Sequence, residues 1–183
     1  MDSLQGHFLV GSPHLTDPNF YRSVVLMVQH DAEGALGLIL NRPTSHTVAE
    51  LTREVGKDLA DCQRPIYLGG PVQGPLMVVH TQLAYSQLQI ATGVHFATDK
   101  QYLQEILTAS EKPWLLFSGY SGWGAGQLER EMQQGGWLTV EATDDDVFYT
   151  GDDLWERLIT RIGQEIIAPA FRASRLPPDP HMN

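Results

Sequence analysis

The sequence predicts one compact domain of mixed α/β (α+β) class, in which strands outnumber helices. Three observations support this fold class. The 183 residues are 42% apolar and 19% charged, which suits a single domain with a sizeable core. Short apolar runs alternate with Gly, Pro and Asn, as in strands joined by tight turns. About four longer segments carry helix start signals, so helices are expected beside the strands.

Nine short apolar segments are predicted to be strands. The clearest pair is 23–29 and 35–41, because the connection around Asp31 to Gly34 is polar and short enough for a tight hairpin. The other segments have similar lengths and similar flanking turn residues. They are 7–11, 65–69, 76–80, 88–92, 114–119, 137–143 and 147–150.

Two helix starts are predicted from capping boxes. Thr47 with Glu50, and Thr98 with Gln101, have the spacing at which each side chain accepts the other residue's backbone N–H. These pairs predict helices that begin near Thr47 and near Thr98.

A third and a fourth helix are predicted farther along the chain. The third begins near Gly126 and ends at Gly135 or Gly136, because glycine most easily supplies the left-handed residue after a helix. The fourth follows Asp152 and Asp153, whose charges favour a helix N-terminus. Its apolar residues recur at helical spacing and are predicted to be buried on one face. They are Trp155, Leu158, Ile159, Ile162 and Ile166.

The start of the chain and its single cysteine predict the cellular compartment of the protein. The start, MDSLQGHFLV, lacks a basic segment and a cleavage site, and no apolar run approaches the roughly 18 residues needed to span a bilayer. Cys62 has no second cysteine with which to pair. We therefore expect a cytoplasmic protein without membrane association, with its domain at residues 1–172. The proline-rich ending predicts a flexible tail at 173–183.

The charge of the chain opposes nucleic-acid binding. Lys and Arg number 12 against 22 Asp and Glu, for a net charge of −10, and the lysines are Lys57, Lys100 and Lys112. Affinity for DNA comes largely from clustered cations that neutralise phosphates and release counterions. The arginines are scattered and form no basic stripe. We expect no direct binding to duplex DNA at physiological salt, and a protein or small-molecule partner instead.

The segment GYSGWGAGQLERE, residues 119–131, places glycines around a single tryptophan. It does not match a dinucleotide-binding fingerprint, because Gln127 stands where the last glycine belongs, and it lacks the Gly-Lys-Ser/Thr ending of a phosphate-binding loop. No Lys or Arg occurs between Trp114 and Glu129, so an anion there would meet only backbone N–H groups. The simplest prediction is a structural turn between a strand and a helix.

The sequence shows no complete catalytic or metal-binding motif. Ser121 resembles the serine of a nucleophile elbow, but the closing glycine comes one residue late. The histidine that follows it is His181, in the proline-rich tail, and nothing pairs an upstream histidine with Ser121. Histidine pairs at metal-ligand spacing are absent, so each histidine is interpreted as a strand-end or surface residue. We predict no catalytic residue, no metal and no cofactor.

Three segments together resemble one protein family. They are GSPHLTDPNFYRSVVLMVQHDAEGALGLILNRPT (11–44), YLGGPVQGPLMVVH (67–80) and SGYSGWGAGQLEREMQQGGW (118–137). In this order they resemble the bacterial YqgE/AlgH family, from about Gly6 to the final helix. The resemblance implies a YqgE-like fold, which is a compact mixed α/β domain with an intertwined mixed sheet, and it implies no assigned biochemical activity. Members are often labelled transcriptional regulators, and alanine is usual at the position of Ser121.

The resemblance also selects four short segments rich in Gly, Pro and Asn. Gly and Pro first suggest special backbone dihedrals and hence a folding role. If the four segments, 17–20, 41–44, 69–72 and 119–129, converge at one edge, they would form a small pocket for a ligand or a peptide. The ligand-binding residues of that pocket would be Asn41, Arg42, Gly70, Gly122, Trp123, Gly124 and Gly126.

Two functional hypotheses follow. The favoured one is a non-catalytic regulatory or interaction module, linked to transcription through a partner. The alternative is an enzyme that acts on a small phosphorylated or acylated substrate at the 119–129 loop, with Arg42 clamping the anion and the 122–127 backbone stabilising an oxyanion. The position of Arg42 distinguishes the two, because the enzyme requires Arg42 near that backbone. A buried Trp123 would favour a structural role for the loop.

Overall fold

A computed structural model describes residues 2–54, 62–108 and 112–173 of the chain. In this part of the chain, ten strands form one curled sheet against which five helices pack, which confirms the expected mixed α+β single domain. The strands are β1 (His7–Gly11), β2 (Val24–Asp31), β3 (Gly34–Ile39), β4 (Pro43–Thr47), β5 (Pro65–Leu68), β6 (Val72–His80), β7 (Leu88–Ala91), β8 (Val94–Ala97), β9 (Trp114–Gly124) and β10 (Trp137–Glu141). The helices are α1 (Val48–Glu54), α2 (Lys100–Thr108), α3 (Gln127–Gln133), α4 (Asp144–Val147) and α5 (Leu154–Ala173), with a 3-10 turn at Leu83–Tyr85.

The strand order along the sheet is β10-β1-β2-β3-β9-β6-β8-β7, and each neighbouring pair is antiparallel. Strands β4 and β5 form a side branch, in which β5 pairs in parallel with β9. The predicted hairpin is confirmed, because β2 and β3 pair up to Asp31 and Gly34. Strands β4 and β8 are not predicted from the sequence, since both are short and β4 has no apolar run.

Strand β9 joins the two halves of the sheet. Its first half pairs with β5 and β6, and its second half, from Ser121 to Gly124, pairs with β3. The predicted turn at 119–124 is therefore wrong, because this segment continues the strand. Gly119 has a left-handed φ of 73° between the two halves, a conformation that glycine adopts at no steric cost.

Both faces of the sheet are covered, and alternate residues of a strand pack on opposite sides. On one face, α5 shares a hydrophobic core with Phe8 and Leu26, and on the other face α3 shares a core with their neighbours Leu9 and Met27. Helix α2 forms a third core with β6 and β9. Strands β1 and β2 are therefore buried at consecutive positions over most of their length, which agrees with the continuous apolar runs from which they are predicted.

Residues 147–150, predicted to be a strand, do not form one. Helix α4 ends at Val147, and Thr143 caps its start by accepting the Asp146 amide at 3.2 Å. Asp146 is buried and forms ion pairs with Arg157 at 3.1 Å and with Arg161. The prediction fails because this cap and the distant ion pairs stabilise a helical turn, which the local apolar run does not reveal.

One of the two predicted capping boxes is present. Thr47 Oγ1 accepts the Glu50 amide at 3.3 Å, and Glu50 Oε2 accepts the Thr47 amide at 3.0 Å. The predicted box of Thr98 and Gln101 is wrong, because Asp99 accepts the Gln101 amide at 2.8 Å. Aspartate is the stronger capping residue of the two candidates.

Helix α3 begins and ends at glycines, as predicted. Gly126, with φ of 68°, precedes its first residue. At the other end Gly135 is left-handed, and its amide donates to the Met132 carbonyl at 2.9 Å while the Gly136 amide donates to the Glu131 carbonyl at 3.1 Å. These two bonds form a Schellman motif, which satisfies carbonyls that the helix end leaves unpaired.

The face of α5 that is predicted to be buried is only partly buried. Trp155, Leu158 and Ile162 are buried, and Ile159 is half-buried. Ile166 is 69% exposed, contrary to the prediction, because Ile162 is the last core residue among the α5 side chains that the structure describes, up to residue 166. Residues 174–183 of the predicted tail lie outside the described residues. No helix of the described part combines the length and apolar character required to cross a membrane.

Candidate functional site

Asn41 and Arg42 connect strand ends by hydrogen bonds to the backbone. Asn41 Oδ1 accepts the Val24 amide at 2.9 Å, and Asn41 Nδ2 donates to the Arg22 carbonyl at 2.8 Å. The Arg42 guanidinium donates to the Asn41 carbonyl at 3.1 Å and to the Tyr21 carbonyl. Burial lowers the pKa of Arg42. Both side chains therefore hold the segment around Arg22, which has a left-handed φ of 51°.

Gly69 and Gly70 cross β9 in close contact. A Cβ added to Gly70, with its φ of 156°, would lie 2.2 Å from the carbonyl carbon of Tyr120. The Gly69 carbonyl accepts the Ile39 amide at 2.9 Å and the Ser121 hydroxyl at 3.1 Å. Gly70 thus lies at a packed crossing of two chain segments, which a larger residue would push apart.

Ser121 is fully buried, and its hydroxyl bonds to a carbonyl rather than to a base. Ser121→Ala is therefore expected to lower the free energy of unfolding by about 1 kcal/mol, the typical net value of one hydrogen bond. Urea denaturation of the variant measures this change. A loss well above about 3 kcal/mol would contradict the assignment of this single bond.

Gly122, Gly124 and Gly126 guide the chain from β9 into α3. The first two lie opposite β3, and Gly124 pairs with Gly34. The Gly124 amide also donates to Gln127 Oε1 at 3.1 Å. Gly126 is the left-handed residue that precedes the helix. Of the three, Gly126 has the left-handed backbone conformation that glycine first suggests, whereas Gly122 and Gly124 lie in ordinary strand backbone.

Trp123 is buried in an aromatic cluster around Glu131. Its ring is 5% exposed, stacks on Phe20 with centroids 5.9 Å apart and meets Trp137 edge-on at 6.0 Å. The indole N–H groups of Trp123 and Trp137 both donate to Glu131 Oε2, at 3.0 and 2.9 Å, and Gln127 Nε2 donates to Glu131 Oε1 at 3.0 Å. The carboxylate is thus fixed by three neutral donors.

A pocket of about 350 Å³ opens beside this cluster, and we name it the Glu131 pocket. Its wall includes Ser12, Asp17, Phe20, Glu131 and Trp137. Ser12 is buried, and its hydroxyl has no hydrogen-bond partner among the described residues. In the same part of the chain, no basic nitrogen lies within 4.0 Å of either carboxylate. Carboxylates beside aromatic rings form a surface suited to a positively charged group.

The sequence-predicted site residues do not line the Glu131 pocket. Trp123 belongs to the aromatic cluster around Glu131. Asn41 and Arg42 hold the segment around Arg22, and Gly70 lies at the crossing with β9. The one sequence feature that pointed to this pocket was Glu131 itself, the last residue of the glycine-rich segment 119–131. Its partners could not be read from that segment, because they come together only through the fold.

His30 and Glu129 form a polar contact near the same helix. His30 Nδ1 accepts the Leu4 amide at 3.0 Å, so His30 Nε2 is the ring nitrogen that donates to Glu129 Oε1, at 3.1 Å. The amide of Glu129 and then the His30 side chain lower the pKa of this carboxyl group. The contact fastens the N-terminal segment and α3 to β2, which is a structural role.

His80 and His95 are adjacent across β6 and β8, with ring centroids 5.9 Å apart. His80 ends its strand, as predicted, but both rings are buried rather than at the surface. His80 Nδ1 accepts the Gln82 amide at 3.2 Å. Burial and, secondarily, His95 lower the pKa of His80 to about 4. Within the described ranges, no three His, Cys, Asp or Glu residues are placed to hold a metal ion.

His80 is expected to make the folded state less stable in mild acid. The unfolded chain takes up a proton near pH 6.5, whereas folded His80 does so only near pH 4. Stability is therefore present above pH 6.5 and is lost as the pH falls between these values. From pH 7.5 to pH 5, wild type should lose about 2 kcal/mol more than His80→Asn, measured by urea denaturation. Parallel pH profiles for the two proteins would refute this assignment.

Known proteins are similar in sequence to this chain along most of its length. The AlgH-like family model matches residues 8–167. A UPF0301 protein of Vibrio parahaemolyticus is 34% identical, over 88% of this chain and 92% of its own length. A UPF0301 protein of Streptomyces avermitilis is 35% identical, over 100% of this chain and 97% of its own length.

Solved structures share the fold. The solution structure of the AlgH protein from Pseudomonas aeruginosa is similar with a TM-score of 0.74 and 32% identity, over 97% of this chain and 96% of that one. A crystal structure of a protein from Corynebacterium diphtheriae is similar with a TM-score of 0.71 and 25% identity, over 88% of this chain and 87% of that one. The chain belongs to the AlgH-like (UPF0301) family.

Proposed function

We propose that this protein is a non-catalytic interaction module, and that its Glu131 pocket binds a lysine or arginine side chain of a partner protein. One observation carries the proposal. The Glu131 carboxylate is held by two indole N–H groups at the wall of an open pocket, without a basic partner in the described part of the chain.

Charge complementarity supports this choice of ligand. The donors that reach Glu131 are neutral, so they orient the carboxylate without cancelling its charge. Asp17 adds a second negative charge, and the net charge of −10 attracts cations from a distance. Phe20 and Trp137 line the pocket, and the attraction of an aromatic ring for a cation is about 0.5 to 2 kcal/mol. The unpaired hydroxyl of Ser12 can accept a hydrogen bond from the incoming N–H group.

The alternative of an enzyme at the 119–129 segment has less support. Arg42 donates to two carbonyls of neighbouring strand ends instead of to the 122–127 backbone. The Ser121 hydroxyl donates a hydrogen bond to the Gly69 carbonyl, and the Gly124 amide donates to the Gln127 side chain. An oxyanion site needs N–H groups that are free to meet the substrate.

A regulatory role would follow from partner binding. An acidic protein that recognises a basic side chain can act on transcription through another protein, without contact to DNA. The cytoplasmic location expected from the sequence is part of the same proposal.

The test is a fluorescence anisotropy titration with a labelled Gly-Ser peptide that carries two lysines, beside the same peptide with norleucine in place of lysine. We expect the lysine peptide to bind in preference. Glu131→Gln should weaken this binding at least about fivefold, which corresponds to about 1 kcal/mol. Thermal unfolding of the variant verifies that it is folded, since glutamine still accepts one indole hydrogen bond.

The matched control is Glu105→Gln, which removes the same charge from an exposed position on α2. It should leave the affinity for the lysine peptide unchanged. Equal weakening by both variants would mean that only the overall charge attracts the peptide. Equal binding of the lysine and norleucine peptides would also refute the proposal.

A further inference from the structure

A second pocket, of about 330 Å³, lies between the starts of β5 and β9 and the chain that leads into α5. Two cations and several aromatic residues share its lining. We name it the Arg64 pocket. The lining residues that matter are Arg64, Tyr67, Lys112, Trp114, Phe148 and Thr150.

Neither cation of the Arg64 pocket has an anionic partner among the described residues. The side chains of Arg64 and Lys112 make no hydrogen bond and no ion pair with the residues that the structure describes. Arg22 and Arg157, by contrast, are paired with carboxylates. Two unpaired cations at one cavity are notable in a chain of net charge −10, and they favour an anionic ligand.

Trp114 positions Arg64 for such a ligand. The guanidinium carbon lies 4.4 Å from the centre of the indole ring, so the ring orients the guanidinium plane. A planar guanidinium matches the geometry of a carboxylate or phosphate through paired N–H donors. Trp114 is 4% exposed, and its own N–H has no acceptor among the described residues.

The rest of the lining is largely uncharged and apolar. Tyr67 and Phe148 are half-buried and pack against the main core. Burial raises the pKa of Tyr67, and the charge of Asp152 raises it further, so its hydroxyl is neutral at physiological pH. A ligand with an anionic head and an apolar body matches this lining, which combines two cations with apolar and aromatic side chains.

We propose that the Arg64 pocket binds a small amphiphilic anion, with a carboxylate or phosphate monoester head on an aromatic or short aliphatic body. Arg64 and Lys112 bind the head, and Tyr67 and Phe148 contact the body. The volume is at the lower end of the range for small-molecule pockets. The residues of this pocket are separate from those of the Glu131 pocket, so either proposal can fail without the other.

The test is isothermal titration calorimetry of the full chain with two aryl anions, phenyl phosphate and 4-phenylbutyrate. Benzyl alcohol and inorganic phosphate are the probes that lack the charge and the apolar body. We expect one-to-one binding of at least one aryl anion, stronger than that of either control probe. Arg64→Gln should weaken it at least about tenfold. Lys100→Gln, which removes a cation from the exposed start of α2, should not change it.

The preferred head group follows from the same titrations, because tighter binding of phenyl phosphate identifies a phosphate and tighter binding of 4-phenylbutyrate a carboxylate. Trp114→Phe keeps the ring under Arg64 and removes the N–H, so it should retain part of the affinity. The proposal is overturned if neither aryl anion binds at millimolar concentration, or if benzyl alcohol or inorganic phosphate binds equally well. Equal losses in Arg64→Gln and Lys100→Gln would overturn it too.

Discussion

Trp123→Ala is expected to lower the free energy of unfolding by about 3 to 5 kcal/mol. The ring is 5% exposed and packs between Phe20 and Trp137, so its removal leaves a cavity in the core beneath α3. It also deprives Glu131 of one of its two indole donors. Urea denaturation at neutral pH measures the loss.

Trp123→Phe is the matched control, because it keeps an aromatic ring and removes the indole N–H. It should cost less than the alanine variant, since the cavity is smaller. A silent Trp123→Ala combined with lost peptide binding would contradict the structural role of this ring and would instead identify it as a contact for the partner.

Asp146→Ala is expected to lower the free energy of unfolding by about 2 to 4 kcal/mol. Its carboxylate is buried, accepts the Thr143 hydroxyl at 2.8 Å and pairs with Arg157 and Arg161, which join α4 to α5. Breaking a fully buried pair costs about 3 to 5 kcal/mol. The estimate here is lower, because both arginines are partly exposed and can be solvated when Asp146 is removed.

Asp145→Ala tests the same short helix without the ion pairs. Asp145 is exposed, so its replacement should change stability by no more than about 0.5 kcal/mol. Chemical denaturation of both variants should therefore separate them clearly. Similar values for the two aspartates would mean that the ion pairs of Asp146 contribute little to stability.

Local patterns were sufficient to predict much of the fold. The β2–β3 hairpin is predictable because its two apolar runs and its polar connection lie within one short stretch. The ends of α3 are predictable for the same reason, since Gly126 and Gly135 act on the chain immediately beside them. Segment 119–124 is different, because its glycines are usual in turns and only pairing with β3 makes them a strand.

The candidate site was predictable only in part. The glycine-rich segment contains Trp123 and ends at Glu131, but Phe20 and Ser12 reach this region from the other end of the sequence. No local spacing shows such a contact. Arg42 was singled out for its charge, yet its donors are used by the backbone of neighbouring strand ends.

The central claim is that the Glu131 pocket, and not the glycine-rich strand, receives a positively charged group. It is tested most directly by nuclear magnetic resonance of the ¹⁵N-labelled protein, titrated with n-butylammonium chloride and, as the neutral control, 1-pentanol. We expect saturable shifts of the Trp123 and Trp137 indole N–H signals, which donate to Glu131, and of the Gly135 and Gly136 amides at the pocket wall. Shifts confined to the 119–124 amides, shifts that do not saturate, or equal shifts with 1-pentanol would contradict the claim.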